Sequence, residues 1–363
     1  MSKIRLGFVG VGGMGQAAHL HHYAVNPDCE IAAIAEIRPK LRAAVASRWG
    51  IPAAYPTHRE MLKAEKLDAI IAIQPFTLHG QLIPELLAYG KPVLTEKPIS
   101  RSTEAADRII AAEKANPGSR LCVAYHKRSD PATIWMKNRM RQLASSGELG
   151  KLRYVRVTMP PGDWIANGFA QNIWTDDASF SDQVAWDATP AGFSVNDAKA
   201  HESFVNYYIH QVNLLRHLFG ESYAVTYADP SGVVMNVQSA SGVPGVLEMA
   251  PWNNSIEWQE SALACYDKGW IRLRLFAPLT SGRAGEGEVC EDRGKDTTPM
   301  TLRPVMPWIG AMQNQAAVFL KTVRGEATDL CGAIDARADI DIANAYIRQV
   351  TAARSAGTLQ AKG

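Results

Sequence analysis

Residues 3–36 read KIRLGFVGVGGMGQAAHLHHYAVNPDCEIAAIAE. An apolar run over 3–9 breaks at Gly10-Val11-Gly12-Gly13-Met14-Gly15. Helical spacing follows over 14–25, a second apolar run covers 30–35, and Glu36 closes it. A G-x-G-x-x-G between a strand and a helix is the setting in which that pattern carries meaning. Gly10 permits the tight turn, Gly12 lets a pyrophosphate approach the backbone, and Gly15 lets the helix pack on the strand. Gly13 and Met14 complete the loop, where the helix N-terminus offers unpaired N–H groups to phosphate. An acid about twenty residues further on accepts hydrogen bonds from the ribose hydroxyls and repels a 2′-phosphate. Glu36 in that place predicts NAD as cofactor, with NADP the lesser choice, and Arg38 softens the preference. The alternative is a glycine turn beside a surface glutamate.

Outward from this unit the same alternation continues. Strands are expected at 68–73, 92–95 and 120–124, with helices at 39–49, 79–89 and 102–115. This is the pattern of a doubly wound parallel sheet. After about residue 126 it changes. A helix over 131–146 ends at Gly147, and strand-like runs follow at 152–158, 223–228, 232–239, 245–250, 260–266 and 269–276. Tight turns between consecutive strands favour an antiparallel sheet. One helix is expected over 203–219, a hairpin or exposed loop over 280–300, and helices over 308–325 and 335–354. The fold class is therefore α/β: a Rossmann domain over 1–126, and a domain over 127–363 with a large, mostly antiparallel open sheet. Its C-terminal helices either stay with that sheet or pack back on the first domain.

Composition narrows the function classes. The 363 residues are 47% hydrophobic and 20% charged, with 38 Lys and Arg against 36 Asp and Glu. That is a globular chain with a net charge of +2, without the basic excess of a protein that lives on phosphate contacts. The five cysteines are scattered, which predicts reduced thiols rather than disulfides or a zinc site. No apolar run approaches membrane-spanning length, and the N-terminus runs straight into a strand pattern, so a cytoplasmic protein is expected. His19, His21 and His22 cluster, but without an acid or thiol nearby in sequence they do not suggest a metal site.

Three motifs fall at expected strand ends, where open α/β sheets bind ligands. They are Gln74-Pro75-Phe76-Thr77-Leu78-His79, Glu96-Lys97-Pro98 and His126-Lys127-Arg128-Ser129-Asp130-Pro131. With the glycine loop they resemble the Gfo/Idh/MocA family of nicotinamide-dependent oxidoreductases over nearly the whole chain. The resemblance implies that Lys97 contacts both substrate hydroxyl and nicotinamide region, and that Glu96 contacts the cofactor ribose region. It adds Gln74, Pro75 and His79 to the cofactor side, and a homodimer or homotetramer as the assembly. It also implies a histidine partner on a helix of the second domain, for which His210 is the best match.

The residues around His210 agree with that mapping. Asn206, His210, Asn213 and His217 fall on one stripe of an otherwise apolar helix. Such a stripe faces either a polar pocket or a satisfied polar seam in the core. Family members carry acids where this chain has Asn206 and Asn213. An amide orients an imidazole but does not stabilise its charged form, which leaves Lys97 and His210 as the catalytic pair.

The substrate is read from residues 160–193, rich in Trp and Asp. Trp164, Phe169, Trp174, Phe180 and Trp186 among carboxylates and amides suit a pyranose, or else anchor a loop. His126 and Arg128 join Trp164, Trp174, Asn206 and Asn213 as substrate-side candidates, and Arg128 pairing with Asp130 is an equal structural account. The expectation is an NAD-dependent dehydrogenase acting on a secondary ring hydroxyl of a carbohydrate, with C3 of a glucoside the first choice. An inositol dehydrogenase or keto-sugar reductase is the alternative within enzymes. A non-catalytic NAD- or sugar-sensing regulator is the alternative outside them.

Overall fold

The computed structural model describes residues 2–177, 187–250, 252–253 and 255–360. Its first strand, β1 (Ile4–Val9), is buried along almost its whole length, as a strand covered on both faces must be. After it come a π-helical turn (Gly15–Leu20), α1 (His21–Ala24), β2 (Cys29–Ala35), α2 (Pro39–Trp49), β3 (Ala53–Tyr55) and α3 (His58–Ala64). The series continues with β4 (Ala69–Ala72), α4 (His79–Leu87), β5 (Pro92–Glu96), α5 (Thr103–Ala115) and β6 (Arg120–Ala124). The six strands are all parallel in the order β3-β2-β1-β4-β5-β6. The order reverses between β1 and β4, the switch point at which such sheets bind ligands. The short β3 and α3, hemmed by Pro52 and Pro56, carry too little pattern to have been expected.

The remaining elements are α6 (Pro131–Ser146), β7 (Leu152–Thr158), α7 (Val195–Tyr207), α8 (Ile209–Phe219), β8 (Tyr223–Ala228), β9 (Val234–Ser239), β10 (Pro244–Glu248) and β11 (Glu260–Tyr266). β12 (Gly269–Leu275), β13 (Glu286–Glu291), β14 (Met300–Leu302), α9 (Ala311–Val323) and α10 (Ala333–Gln360) complete the chain. The second sheet runs β14-β13-β12-β11-β7-β10-β9-β8 and is antiparallel except between β7 and β10. α6 packs on β12 and β13, and α8 on β7 and β10. The Gly-rich stretch over 280–300 forms the β13–β14 hairpin.

Compactness divides the chain into two units. One comprises Met1–Tyr125, Asn167–Gly192 and Met312–Ile340; the other comprises His126–Ala166, Phe193–Ala311 and Asp341–Gly363. The first change of unit falls at Tyr125/His126. Segments 167–192 and 312–340 cluster with the first unit, the latter being one of the two placements expected for the C-terminal helices. On α9, Ala316, Phe319 and Leu320 pack into one core cluster with Leu6, Phe8, Leu94 and Cys122.

The expected single helix over 203–219 is a pair. The ladder breaks at Tyr208 (φ −87°, ψ −4°), among the packed rings of Phe204, Tyr207 and Tyr208. Along the polar stripe Asn206 is exposed on α7, while Asn213 on α8 is 1% exposed.

Candidate active site

The cofactor half is built in the first unit. Gly10 has φ +87°, and a Cβ there would stand 2.3 Å from the Ile73 carbonyl oxygen. A Cβ on Gly15 would stand 2.7 Å from the Gly10 carbonyl oxygen, so only glycine allows helix and loop to meet this closely. Among the described residues, a Cβ on Gly12 would meet only an Arg38 guanidinium nitrogen, at 3.2 Å. The loop is thus a cradle of backbone at the C-terminal edge of β1, fit for a dinucleotide pyrophosphate.

Glu36 lies just past the end of β2 and is buried. Its carboxylate accepts hydrogen bonds from Val11 N (3.1 Å) and from Arg38 Nε (2.8 Å) and Nη2 (3.0 Å). Bonding to Glu36 raises the already high pKa of Arg38, so this cation is permanent. The acid thus sits where a ribose-binding carboxylate is required, with a guanidinium alongside it.

At the end of β5, Glu96 is buried, and its Oε1 lies 2.7 Å from His19 Nε2 on the π-helical turn. Its Oε2 accepts from Lys97 N at 3.1 Å. Burial pushes the Glu96 carboxyl up, but the bond and charge of His19 outweigh it and hold the acid below its usual value. The expectation that the histidine cluster lacks an acid is corrected here for His19. Glu96 is distant in sequence, and the parallel sheet brings the first helix and the fifth strand end together. The only available signal was that both positions sit at the same edge of the sheet. Among the described residues no metal-binding cluster occurs.

His79 is fully buried. Nδ1 faces the carbonyls of Pro98 (3.1 Å) and Ile99 (3.2 Å), and Nε2 faces the Gln74 carbonyl (3.2 Å). Burial lowers its pKa. The ring therefore ties the Gln74-Pro75 turn to the backbone after Lys97, and orders the cofactor edge from behind. Lys97 itself is half-buried.

The second unit holds the other candidates. His126 is buried, and its ring meets that of half-buried His210 edge to face, with centroids 4.7 Å apart. Arg128 Nε donates to Asn213 Oδ1 at 2.6 Å. Arg128 does not pair with Asp130, which instead caps α6 through Ala132 N and accepts from Gly285 N. Burial raises the Asp130 carboxyl to about 6. A neighbouring buried network was not foreseen from sequence. Glu260 binds Lys127, accepts from Gln211 Nε2 (2.7 Å) and accepts from Trp258 Nε1 (3.0 Å). A small open cleft adjoins it, lined by His126, Lys127, Asp130, Phe276 and Arg283. The half-buried Trp164 is close by in the chain trace, its carbonyl accepting from Leu279 N.

Trp174 does not belong to this unit. It lies in the first unit, where its ring meets Gly13 of the glycine loop. Phe180 and Trp186 lie outside the described residues.

Comparison with known proteins shows what the chain is similar to. Residues 4–125 match the family described as an oxidoreductase family with an NAD-binding Rossmann fold, GFO_IDH_MocA. The inositol 2-dehydrogenase of Corynebacterium glutamicum (strain R) is 26% identical over 326 residues, 88% of each chain. Over residues 4–125 the chain is thus similar to the Gfo/Idh/MocA oxidoreductases. Another relative, the inositol 2-dehydrogenase of Rubrobacter xylanophilus, is 29% identical over 150 residues, so this match spans 41% of its length. A levoglucosan dehydrogenase solved with NADH and levoglucosan superimposes with TM-score 0.70 at 19% identity, covering 96% of this chain and 98% of that one. At that identity the likeness is one of fold. The Gfo/Idh/MocA fold, with its parallel sheet followed by a large, mostly antiparallel one, is what the two sheets display.

Proposed function

We propose that this chain is an NAD-dependent dehydrogenase that oxidises a secondary ring hydroxyl of a sugar, glycoside or cyclitol to a ketone. What carries the reading is a complete dinucleotide cradle in a chain that aligns with an inositol 2-dehydrogenase over 88% of both lengths. NAD, when bound, supplies the hydride acceptor for the carbinol C–H. Gly10, Gly12, Gly13, Met14 and Gly15 receive the phosphates, and Glu36 receives the ribose hydroxyls. His210 takes the hydroxyl proton, since imidazole exchanges a proton near neutral pH, with His126 packed against its ring. Lys97 stabilises the negative charge that develops on the same oxygen. Arg128 with Asn213, and Trp164, orient the hydroxyl-rich ring. The oxidised position on a glucoside would be C3.

The protein works as a homo-oligomer in the cytoplasm. Its five thiols fit a reducing compartment. With α6 and α8 on one face of the second sheet, a second copy covers the other face.

The test is nicotinamide absorbance. Protein is mixed with NAD, and separately with NADP, against free sugars, alkyl and aryl glucosides, and inositols. Reduction with NAD and one of these classes is expected, and NMR of the product locates the ketone. Tight NAD binding with no turnover on any of them would replace this reading with that of a non-catalytic sensor.

A further inference from the structure

Residues 171–177, part of the first unit, are fastened both to the glycine loop and its π-helical turn and to α2. Asn172 Nδ2 donates to the Gly13 carbonyl at 3.1 Å. Gln16, 5% exposed on the π-helical turn, donates to the carbonyls of Val11 and Ile173 (both 3.0 Å) and accepts from Ile173 N (2.9 Å). Arg48 reaches the Gln171 carbonyl at 2.6 Å. Asp177 accepts from the backbone N of Lys40 in the first turn of α2 at 2.8 Å, and Lys40 Nζ meets Asp176 at 2.6 Å.

Between these fastenings stands Trp174. Its Cη2 lies 3.0 Å from where a Gly13 Cβ would be, and Phe169 meets its ring edge to face at 6.1 Å. Yet the side chain is 63% exposed. The indole is held beside the loop backbone with most of its surface open. Gly13 is the residue it touches, and Gly13 belongs to the loop that receives the dinucleotide. Arg38 meets the same loop at the adjacent Gly12.

We propose that residues 171–177 are a dinucleotide clamp, with Trp174 a cofactor-contacting residue and Asn172 and Gln16 positioning residues that hold the strap in register with the glycine loop. The clamp slows release of the bound nicotinamide dinucleotide. It rests on the dinucleotide half of the proposed function alone, so it stands or falls independently of which sugar is oxidised.

The experiment uses the full chain and NADH. Affinity is read by titration calorimetry, and release by stopped-flow displacement followed through tryptophan-to-NADH energy transfer. In Trp174→Ala the dissociation constant is expected to rise about tenfold or more, mainly through faster release, in line with the worth of one aromatic contact. Trp174→Phe is expected to recover most of the loss, and Asn172→Ala to speed release with Trp174 intact. Because Trp174 is exposed, its truncation should leave the melting temperature near the parent's. Parent-like NADH affinity and release in both Trp174→Ala and Asn172→Ala would overturn the proposal. Tighter NADH binding in Trp174→Ala would also overturn it, by marking the indole as an obstruction. So would an unchanged NADH affinity with a raised KM for sugar, which would return Trp174 to the substrate side.

Discussion

Glu96 and Lys97 are adjacent in sequence, and the fold treats them differently. The carboxylate is withdrawn onto His19 and the Lys97 backbone N–H, while the ammonium's residue stays half-buried at the strand end. Replacing Lys97 by Ala is expected to lower turnover by about 10²- to 10⁴-fold, the usual worth of a positioned proton-transfer or charge-stabilising group. Steady-state kinetics beside an NADH titration checks this, since cofactor affinity should change little. Intact turnover would remove Lys97 from the chemistry. Asp130 offers a second test, on stability. Its folded value of about 6 lies above its ordinary value, so the folded state holds this proton more tightly than the unfolded chain does. The contribution is fully present at low pH and is lost as pH rises from about 4 through 6, by about 3 kcal/mol. Urea unfolding of parent and Asp130→Asn at pH 4.5 and 7.5 is expected to show the variant gaining on the parent as pH rises. A constant difference would mean that Asp130 is not raised.

At the scale of elements, the junction of β1 with the π-helical turn is tightly constrained. Gly10 combines a left-handed φ with backbone 2.3 Å from any added Cβ. In Gly10→Ala the left-handed conformation alone costs about 1–2 kcal/mol, and the clash with Ile73 adds to it. A lower melting temperature together with lost NADH binding is expected, and thermal unfolding with and without NADH measures both. The α7–α8 pair shows the opposite situation. Periodicity runs smoothly across Tyr208, where the helix is interrupted, and Asn206 is exposed while Asn213 is buried. The C-terminus of α8 gathers cations instead: Lys137 Nζ donates to the Leu218 carbonyl at 3.3 Å. Burial together with Arg128, Lys137, Arg141 and Arg216 drives the His217 pKa well down.

For the whole molecule, the second sheet carries helices on one face, while Arg272 and Arg274 of β12 point out exposed. Sedimentation equilibrium is expected to give a dimer or tetramer, and a monomer at micromolar protein would overturn the assembly proposed for this face.

Apart from β3 and α3, the strands and helices of the parallel sheet, the glycine loop and the acid at Glu36 were legible in the sequence. Each rests on local rules: apolar runs for strands buried on both faces, glycine where a Cβ will not fit, and an acid at a set distance from the loop. The antiparallel strands were legible for the same reason, from alternation and tight turns. What only the tertiary structure decided are relations between residues far apart in the chain. His19 finds Glu96 because β1 and β5 share a sheet edge; Arg128 chooses Asn213 over Asp130 because α8 comes to it; Glu260 gathers Lys127, Gln211 and Trp258. The Trp-rich segment is the plainest case. Its composition suggested a sugar surface, but an indole packs equally well on a glycine loop, and composition has no term for which surface is near. Contact with Gly13 is a three-dimensional fact, and it places Trp174 in the unit that binds the dinucleotide.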